Sequence, residues 1–325
     1  MPFIVAPFAA GLLERLQAVG VEHVTFLAGP NGGQFAPLVP FGSGRGLKVT
    51  VRAEEEPLDT AGAVRRELAR HPDGPVLVCN GDVVTDLDYR ELCAAHHQAG
   101  AAATIALGRV DDPASYGIVG LDAEPLGRVQ TFVEKPAPGT APSDTASIGT
   151  YVVTPEAFAP YPGDGPLSFE RDVFPTLVTR GALSGLVCEA YWLDVGTPER
   201  YLEAQRAVLA GRCGWPIPDG VEVDGGHSAR HEQARVADEA ELGPGTVLGV
   251  AATVAERARI DDSVLFDHAA VGPGAVVTGT LVGEAARIGA GAHVGPDVVI
   301  GDGAVVRDGA RVPPGSRVEP FGVAE

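Results

Sequence analysis

The sequence is poor in sulfur, in aromatic side chains and in positive charge. One methionine and four cysteines occur among 325 residues, and aromatic residues make up 6%. The cysteines match no zinc or redox spacing, which favours free thiols in a cytoplasmic protein over a disulfide framework. Lys and Arg number 24 against 43 Asp and Glu, so the formal net charge is −19. Such an acidic chain repels phosphate backbones, which argues against nucleic-acid binding but allows a locally basic pocket.

Long apolar runs are absent as well. No segment reaches the ~18–20 residues of a membrane span, and the N-terminus has no basic region of the kind that opens a secretory signal. We therefore expect no membrane partner. The balance of 45% hydrophobic and 21% charged residues is that of a globular protein, and the length suits two domains.

The first ~210 residues alternate between helical and strand patterns. The apolar run Pro75–Cys79 reads as a buried parallel strand that ends at Asn80-Gly81-Asp82. Further helices are predicted at Ala9–Val19, Thr60–Ala69 and Asp88–Gln98, and strands at Val21–Leu27, Leu47–Val51 and Ala101–Leu107. The alternation predicts an α/β fold with a mostly parallel sheet, whose ligands bind beyond the carboxyl ends of the strands.

A hexapeptide repeat occupies the C-terminal part of the chain. Aliphatic residues recur at Val236, Leu242, Leu248, Val254 and Ile260, and after a slip at Val276, Val282, Ile288, Val294, Ile300, Val306, Val312 and Val318. One inward aliphatic per six residues predicts a solenoid of stacked parallel strands, whereas a glycine-rich linker would lack the period. Gly and Pro cluster near residues 212–218, so we predict domains at 1–212 and 236–325 with a linker at 213–235.

Three short segments carry candidate chemistry. Asp82 and Asp194 each follow an apolar strand, where a carboxylate can hold a divalent cation against a polyphosphate. Asn-Gly-Asp is also ordinary turn chemistry, and Asp194 could instead cap a helix, although Thr197 is better placed for that. Glu134 and Lys135 could bind sugar hydroxyls and a phosphate, or form a solvated turn.

The motifs are more specific in combination than alone. In chain order they are PLDTAGA at 57–63, NGD at 80–82, DPASYGIV at 112–119, FVEKP at 132–136, SFERDVFP at 168–175 and WLDVGTPERY at 192–201. This order, followed by hexapeptides, resembles the sugar-1-phosphate nucleotidylyltransferases, within them the mannose-1-phosphate guanylyltransferase-like branch. The resemblance implies a Rossmann-like domain, a left-handed parallel β-helix, and transfer from an NTP, with GTP favoured, to mannose 1-phosphate or a related hexose or cyclitol phosphate.

The resemblance also implies residue roles. Asp82 and Asp194 would hold a catalytic Mg²⁺, Lys135 would contact the sugar phosphate, and Glu134 would bind the sugar. The remaining implied substrate contacts are Leu58, Asp59, Thr60, Gly62, Asn80, Gly81, Gly117 and Ser147. The exposed ends and flat sides of a solenoid further suggest a homo-oligomer.

The sequence departs from the family in three places. The loop GGxGTRL and the strand before it are absent, so the neighbouring strands would face a gap. Three explanations stay open: a longer natural chain, a non-catalytic regulatory or assembly paralogue, or a rearranged fold in which Pro2–Val5 or a partner fills the gap. Asp59 replaces a glycine and could accept N–H groups of guanine or repel phosphate. Ser147 replaces an asparagine, which shortens the reach to a sugar hydroxyl.

Overall fold

The chain divides into two compact units in the computed structural model, which describes residues 2–30, 32–70, 74–225 and 227–325. One unit is Leu13–Trp192, and the other combines Met1–Leu12 with Leu193–Glu325. The domain limits drawn from the sequence, 1–212 and 236–325, stay a prediction.

Six α-helices lie within the described residues. They are α1 (Phe8–Ala18), α2 (Leu38–Ser43), α3 (Asp59–Leu68), α4 (Tyr89–Ala99), α5 (Phe174–Thr179) and α6 (Pro198–Leu209). The predicted helices α1, α3 and α4 are confirmed to within two residues at each end. Helix α4 shows how the sequence sets such limits, because the Asp88 side chain accepts from the N–H of Arg90 and Gly100 ends the helix at φ +58°.

The strands before the solenoid vary from two to nine residues. They are β1 (Pro2–Phe3), β2 (Ala6–Pro7), β3 (His23–Ala28), β4 (Lys48–Ala53), β5 (Val76–Cys79), β6 (Val83–Thr85), β7 (Ala103–Arg109), β8 (Gly117–Leu121), β9 (Leu126–Glu134), β10 (Thr145–Val153), β11 (Leu183–Val187) and β12 (Trp192–Asp194). The strands predicted from the sequence all occur.

A six-stranded sheet forms the centre of the Leu13–Trp192 unit, in the order β5-β10-β7-β11-β9-β8. The pairings make β5, β7, β11 and β8 run in one direction, with β10 and β9 reversed. Its apolar core includes Ile105, Leu107, Phe169, Phe174 and Leu177, all fully buried. The predicted α/β class is confirmed, and most strands of the sheet, four of six, are parallel to one another in direction, although only β7 and β11 are adjacent parallel neighbours.

One strand differs from its prediction. The Pro75–Cys79 run was expected to be a buried parallel strand, but β5 pairs antiparallel with β10 and its four residues are only partly buried. Strand β3 pairs in parallel with β4 in a separate two-stranded sheet. Within the described ranges no strand pairs with the second edge of β5, and this edge position explains the partial burial.

The N-terminal residues form a hairpin of their own. Among the described residues, β1 and β2 pair antiparallel in a separate two-stranded sheet, so the alternative in which Pro2–Val5 adds a strand to the larger sheet is wrong. Phe3 instead packs edge-on against Tyr201 and Trp215, with ring centroids 5.7 and 5.5 Å away. The N–H of Ile4 donates to the buried Gln205 side chain at 3.2 Å. Aromatic burial outweighs sheet extension for this short segment.

The C-terminal region is a parallel β-solenoid, as predicted. An antiparallel hairpin of β13 (Val221–Asp224) and β14 (Ser228–His231) precedes its coils. The following strands are β15 (Arg235–Val236), β16 (Glu241–Leu242), β17 (Val247–Leu248), β18 (Thr253–Val254), β19 (Arg259–Asp261), β20 (Val264–Leu265), β21 (Ala270–Val271), β22 (Val276–Thr278), β23 (Thr280–Val282), β24 (Arg287–Ile288), β25 (His293–Val294), β26 (Val298–Ile300), β27 (Val305–Val306), β28 (Arg311–Val312), β29 (Arg317–Val318) and β30 (Val323–Ala324). Three stacked sheets make up its faces.

The slip in the hexapeptide register has a local cause. Leu265, Val271 and Val277 continue the inward row after Ile260, so the prediction that the row resumes at Val276 is wrong by one residue. Two sides of the solenoid span five residues instead of six, from Ile260 to Leu265 and from Val277 to Val282. Three buried hydroxyl residues, Thr246, Ser263 and Thr280, follow one another one coil apart, and the last two lie within the shortened sides.

Glycine follows many of the inward-facing aliphatic residues. At such a position an aspartate of the next coil occupies the space that the side chain of any other residue would need. A Cβ on Gly243 would lie 2.2 Å from Oδ1 of Asp261, and one on Gly289 would lie 2.6 Å from Oδ1 of Asp308. The Asp308 carboxylate accepts from the N–H of Ala290 at 2.8 Å. These contacts tie each turn to the next coil.

Candidate active site

The Asn80-Gly81-Asp82 segment is exposed and connects β5 to β6. The N–H of Asn80 donates to the carbonyl of Gly149 at 2.8 Å. Gly149 has φ +72° at the irregularity in β10, and a Cβ there would lie 2.6 Å from the Asn80 side-chain nitrogen. Glycine is therefore required at 149 for the loop to lie where it does. Asp82 is thus placed on a loop whose start is anchored to the sheet.

Asp194 ends strand β12 and is half-buried. Its Oδ1 accepts from the N–H of Gly196 at 2.7 Å, while Thr197 caps α6 by accepting from Arg200 at 3.3 Å. The helix-cap interpretation of Asp194 is therefore wrong, and Thr197 holds that place as expected. The Oδ2 atom of Asp194 has no hydrogen-bond partner in the part of the chain that the structure describes. Asp82 and Asp194 belong to different units, so their joint binding of a metal stays a prediction.

The Leu58–Gly62 segment opens α3 and packs on residues 165–167. The N–H groups of Ala61 and Gly62 both donate to the carbonyl of Leu167, at 2.8 and 3.0 Å. A Cβ on Gly62 would lie 3.0 Å from the carbonyl oxygen of Gly165. This glycine thus permits close backbone packing, a structural reason that exists beside the predicted contact with a base.

Asp59 adopts a left-handed conformation with φ +59°, which explains why a glycine suits this position. Its carboxylate accepts from the N–H of Thr60 at 2.7 Å and forms an ion pair with Arg171. Thr60 donates to Glu170 at 2.9 Å. Both oxygens of Asp59 therefore have partners within the protein, and Arg171 offsets the charge that was expected to act on guanine or phosphate.

Glu134 and Lys135 lie at the end of β9, opposite the start of β8. Gly117 pairs with Glu134, and a Cβ on it would lie 2.9 Å from Oε2 of that residue. The absent side chain makes room for the carboxylate in this structure. Lys135 has φ +46°, and its N–H donates to the carbonyl of Tyr116 at 3.0 Å.

Burial and three charged groups act on the Glu134 carboxyl. Its partial burial raises its pKa above the ordinary value, and the nearby Glu170 carboxylate raises it further. Lys135 and Arg171 oppose this rise. The structure thus brings the FVEKP and SFERDVFP segments together, and α3 joins them through Thr60.

Two aromatic residues complete this region. Tyr116 meets Trp192 edge-on, with ring centroids 5.2 Å apart, and the Trp192 indole lies over Gly108, where a Cβ would be 2.1 Å from Nε1. Ser147 lies in β10 opposite Leu107 and is half-buried. Sequence reasoning gave no role to Glu170, Arg171 or Trp192, although all three lie in motifs that it singled out.

Comparison with known proteins identifies the family. The nucleotidyl transferase family model matches residues 1–211, and the GMPPB C-terminal domain model matches residues 225–313. The chain belongs to the nucleotidyl transferase family. A relative in this family, the mannose-1-phosphate guanylyltransferase of Mycobacterium tuberculosis, is 34% identical over 82% of this chain and 73% of its own. The resemblance to sugar-1-phosphate nucleotidylyltransferases is thereby confirmed.

Two solved structures have a fold similar to that of this chain. HddC from Yersinia pseudotuberculosis is 29% identical with a TM-score of 0.53, over 63% of this chain and 87% of that one. The structure of the same protein complexed with GMP-PN gives a TM-score of 0.51 at 28% identity, over 62% of this chain and 85% of that one. Among the described residues, no helix is both long and apolar enough to cross a membrane.

Proposed function

We propose that this chain transfers a guanylyl group from GTP to a sugar 1-phosphate and releases pyrophosphate. The single observation that carries the proposal is the 34% identity to a mannose-1-phosphate guanylyltransferase across 82% of the chain. The HddC structure with GMP-PN supports a guanine nucleotide as donor. The acceptor is mannose 1-phosphate or a related hexose or cyclitol phosphate.

The acceptor side is built from the β8 and β9 ends. Lys135 holds the sugar phosphate by charge, and Glu134 accepts hydrogen bonds from sugar hydroxyls. The backbone at Gly117 and the hydroxyl of Ser147 approach the sugar. The shorter reach of Ser147 compared with asparagine favours an acceptor whose hydroxyl pattern differs from that of mannose.

The nucleotide side is built from two loops. The segment containing Leu58, Asp59, Thr60 and Gly62 lines the base, and Asn80 and Gly81 lie at the ribose and phosphates. The Asn80 amide rests on Gly149, so the loop presents its polar groups without reorganising. Such fixed positioning lowers the entropic part of the barrier.

We further propose that Asp82 and Asp194 hold a divalent cation. Asp82 offers an exposed carboxylate, and the Oδ2 atom of Asp194 has no hydrogen-bond partner within the described ranges. Carboxylate oxygens are the protein ligands that Mg²⁺ prefers. When bound, Mg²⁺ would neutralise charge on the phosphates of the nucleotide.

The reaction is a displacement at the α-phosphorus of GTP. An oxygen of the sugar phosphate forms the new O–P bond, and the bond from the α-phosphorus to the bridging oxygen breaks, so pyrophosphate leaves with the electron pair. No proton has to move through the protein. Lys135 and Glu134 therefore act by holding the acceptor in line, as is typical of phosphoryl-type transfer.

Lys135→Ala tests the proposal, because the chain offers an ideal control. The sequence contains two lysines, and the other, Lys48, is exposed on β4. We expect Lys135→Ala to lower kcat/KM for the sugar phosphate by about 10²–10³, the usual loss for one electrostatic contact, and Lys48→Ala to leave it unchanged. Pyrophosphate release with Mg²⁺ and GTP is the measurement, first with mannose 1-phosphate and then with other NTPs and sugar phosphates.

The same assay should include a form lengthened to the nearest upstream in-frame start. Activity in either form that depends on Lys135 supports the proposal. Folded protein that is silent in both forms with every nucleotide and sugar phosphate contradicts it.

A further inference from the structure

A groove of about 390 Å³ lies on the Leu13–Trp192 unit, outside the candidate active site. Its walls are Arg65, Arg66, Ala69 and Arg70 of α3 and Gly163 and Asp164 of the opposite loop. We call it the arginine groove. Three of its six residues are arginines, in a chain whose formal net charge is −19.

The arginines in the groove are mostly not paired with carboxylates. Arg65 donates to the carbonyls of Tyr161 and Gly165 at 3.2 and 2.7 Å, and Arg66 donates to the carbonyl of Asp164 at 3.3 Å. Neither has a carboxylate partner in the part of the chain that the structure describes. Arg70 forms an ion pair with Glu67 at 2.8 Å. The groove therefore keeps a local excess of positive charge.

The hydrogen bonds to the loop also orient the guanidinium groups. A carbonyl partner fixes the position of an arginine without cancelling its charge, so the remaining N–H donors stay available in a defined arrangement. The Nε atom of Arg65 is buried and has no hydrogen-bond partner within the described residues. A buried donor without a partner is unusual in folded proteins.

Helix stability alone does not explain this arrangement. Arg66 and Arg70 are four residues apart on one helix face, where like charges repel. Arg52 already pairs with Glu67, so a further arginine there adds little compensation. An anionic ligand would offset the repulsion between the arginines and would also accept hydrogen bonds from their remaining N–H groups.

We propose that the arginine groove binds an anion that carries a phosphate group. Planar guanidinium forks bind phosphate oxygens in a bidentate geometry, and the volume of the groove suits a small phosphorylated molecule. The site lies on the same helix as Asp59 and Thr60, so its occupant would stiffen the helix that opens the nucleotide side. The proposal concerns binding and stands without the proposed activity.

The test is calorimetric titration with inorganic phosphate and, separately, with glycerol 3-phosphate. The groove variant is Arg65→Gln/Arg66→Gln/Arg70→Gln. The control variant is Arg180→Gln/Arg235→Gln/Arg311→Gln, which removes the same charge from three separate exposed positions. Binding of phosphate at the substrate site is common to all three proteins, so the difference between the variants reports the groove.

We expect the native protein and the control to bind alike and the groove variant to bind about ten-fold or more weakly, the loss expected for charge-assisted hydrogen bonds. Tighter binding of glycerol 3-phosphate would identify a phosphoester, and equal binding would identify free phosphate. Equal affinity and stoichiometry in all three proteins would overturn the proposal, as would the absence of binding to the native protein.

Folding of the groove variant is checked by circular dichroism. If the groove variant does not fold, the titration is repeated with the single variant Arg66→Gln. This variant should fold, because Arg66 is exposed and its side chain makes one long hydrogen bond to the loop. Weaker phosphate binding by this folded variant than by the matched Arg235→Gln supports the site, and unchanged binding contradicts it.

Discussion

At the scale of single residues, the pKa of Glu134 is subject to opposing electrostatic effects. Glu170 and its own partial burial disfavour its charged form, while Lys135 and Arg171 favour it. The net effect is a raised pKa, so this carboxyl takes up a proton at a higher pH than an ordinary glutamate. The hydrogen-bond acceptor role that we propose for it toward the sugar would therefore be lost at a higher pH than for an ordinary glutamate.

Glu170→Gln should move the acid limb of activity. The limb appears as a rise in KM for the sugar phosphate when the pH falls through the pKa of Glu134. Removing the Glu170 charge lowers that pKa, so the limb moves to lower pH. The measurement is KM for the sugar phosphate against pH, with Glu156→Gln on an exposed turn as the control. A limb that stays in place, or moves to higher pH, would contradict the account.

The second residue-scale feature is the left-handed backbone at Asp59. The sequence shows aspartate where the family has glycine, and the structure gives it φ +59° with an ion pair to Arg171. The partner lies over one hundred positions away in the sequence, which is why the pair could not be predicted. An exposed pair of this kind contributes little to stability, about 0–1 kcal/mol.

Replacing Asp59 by glycine and by alanine separates backbone from side chain. Both variants lose the same contacts, but alanine keeps the cost of a Cβ at positive φ. We expect Asp59→Ala to be less stable than Asp59→Gly by about 1 kcal/mol in the free energy of unfolding. Urea titration measures the difference. Equal stabilities of the two variants would show that the left-handed conformation carries no such cost.

At the scale of elements, the solenoid strands set a limit on what sequence could predict. The aliphatic period indicates the solenoid and most of its inward rows. It does not reveal the five-residue sides, because strands of two or three residues carry too little alternation to fix a register. Val276 and Val277 are adjacent valines, and only the structure shows that Val277 is buried while Val276 is on the outer face.

Val277→Ala and Val276→Ala test that register. Val277 is fully buried, so its truncation removes two carbon groups from the core and leaves a cavity, at a cost of about 1.5–3 kcal/mol. Val276→Ala should change stability by about 0.5 kcal/mol or less. Amide hydrogen exchange of β19, β22 and β25 measures the local free energy of opening. The reverse order of the two effects would restore the register expected from the sequence.

The candidate site was predictable in part for a related reason. Short motifs such as NGD, EKP and WLD stand at strand ends, where function concentrates, and the family resemblance gives them roles. The resemblance does not give their mutual contacts. The bond from Thr60 to Glu170 and the nearness of Glu170 to Glu134 depend on how β9, α3 and residues 168–171 pack, and no pairwise spacing in the sequence encodes that packing.

At the scale of the whole molecule, the charge of −19 is the dominant property. Mutual repulsion among acidic groups opposes the folded state, and dissolved ions reduce it over distances of about 10 Å at 0.1 M. The arginine ion pairs, such as Arg206 with Asp262 at 2.7 Å, offset a small part of this repulsion.

Sodium chloride should therefore stabilise the protein. We expect Tm to rise as the salt is increased from about 0.05 to about 0.5 M, because screening weakens repulsion more than it weakens the fewer attractive pairs. Differential scanning calorimetry measures the change. Chloride is the proper anion, since phosphate or sulfate would also occupy the arginine groove. A Tm that falls over this range would show that ion pairs outweigh the net charge.

The stacking of the solenoid has an evolutionary consequence. Each strand pairs in parallel with the strand one coil later, as when Val247 lies opposite Val264 and Val264 opposite Leu281. Insertions and deletions in this region are consequently neutral only in steps of a whole coil, 17 or 18 residues. We expect the solenoids of homologues to differ in length by whole coils, whereas the loops of the Leu13–Trp192 unit can lengthen by single residues.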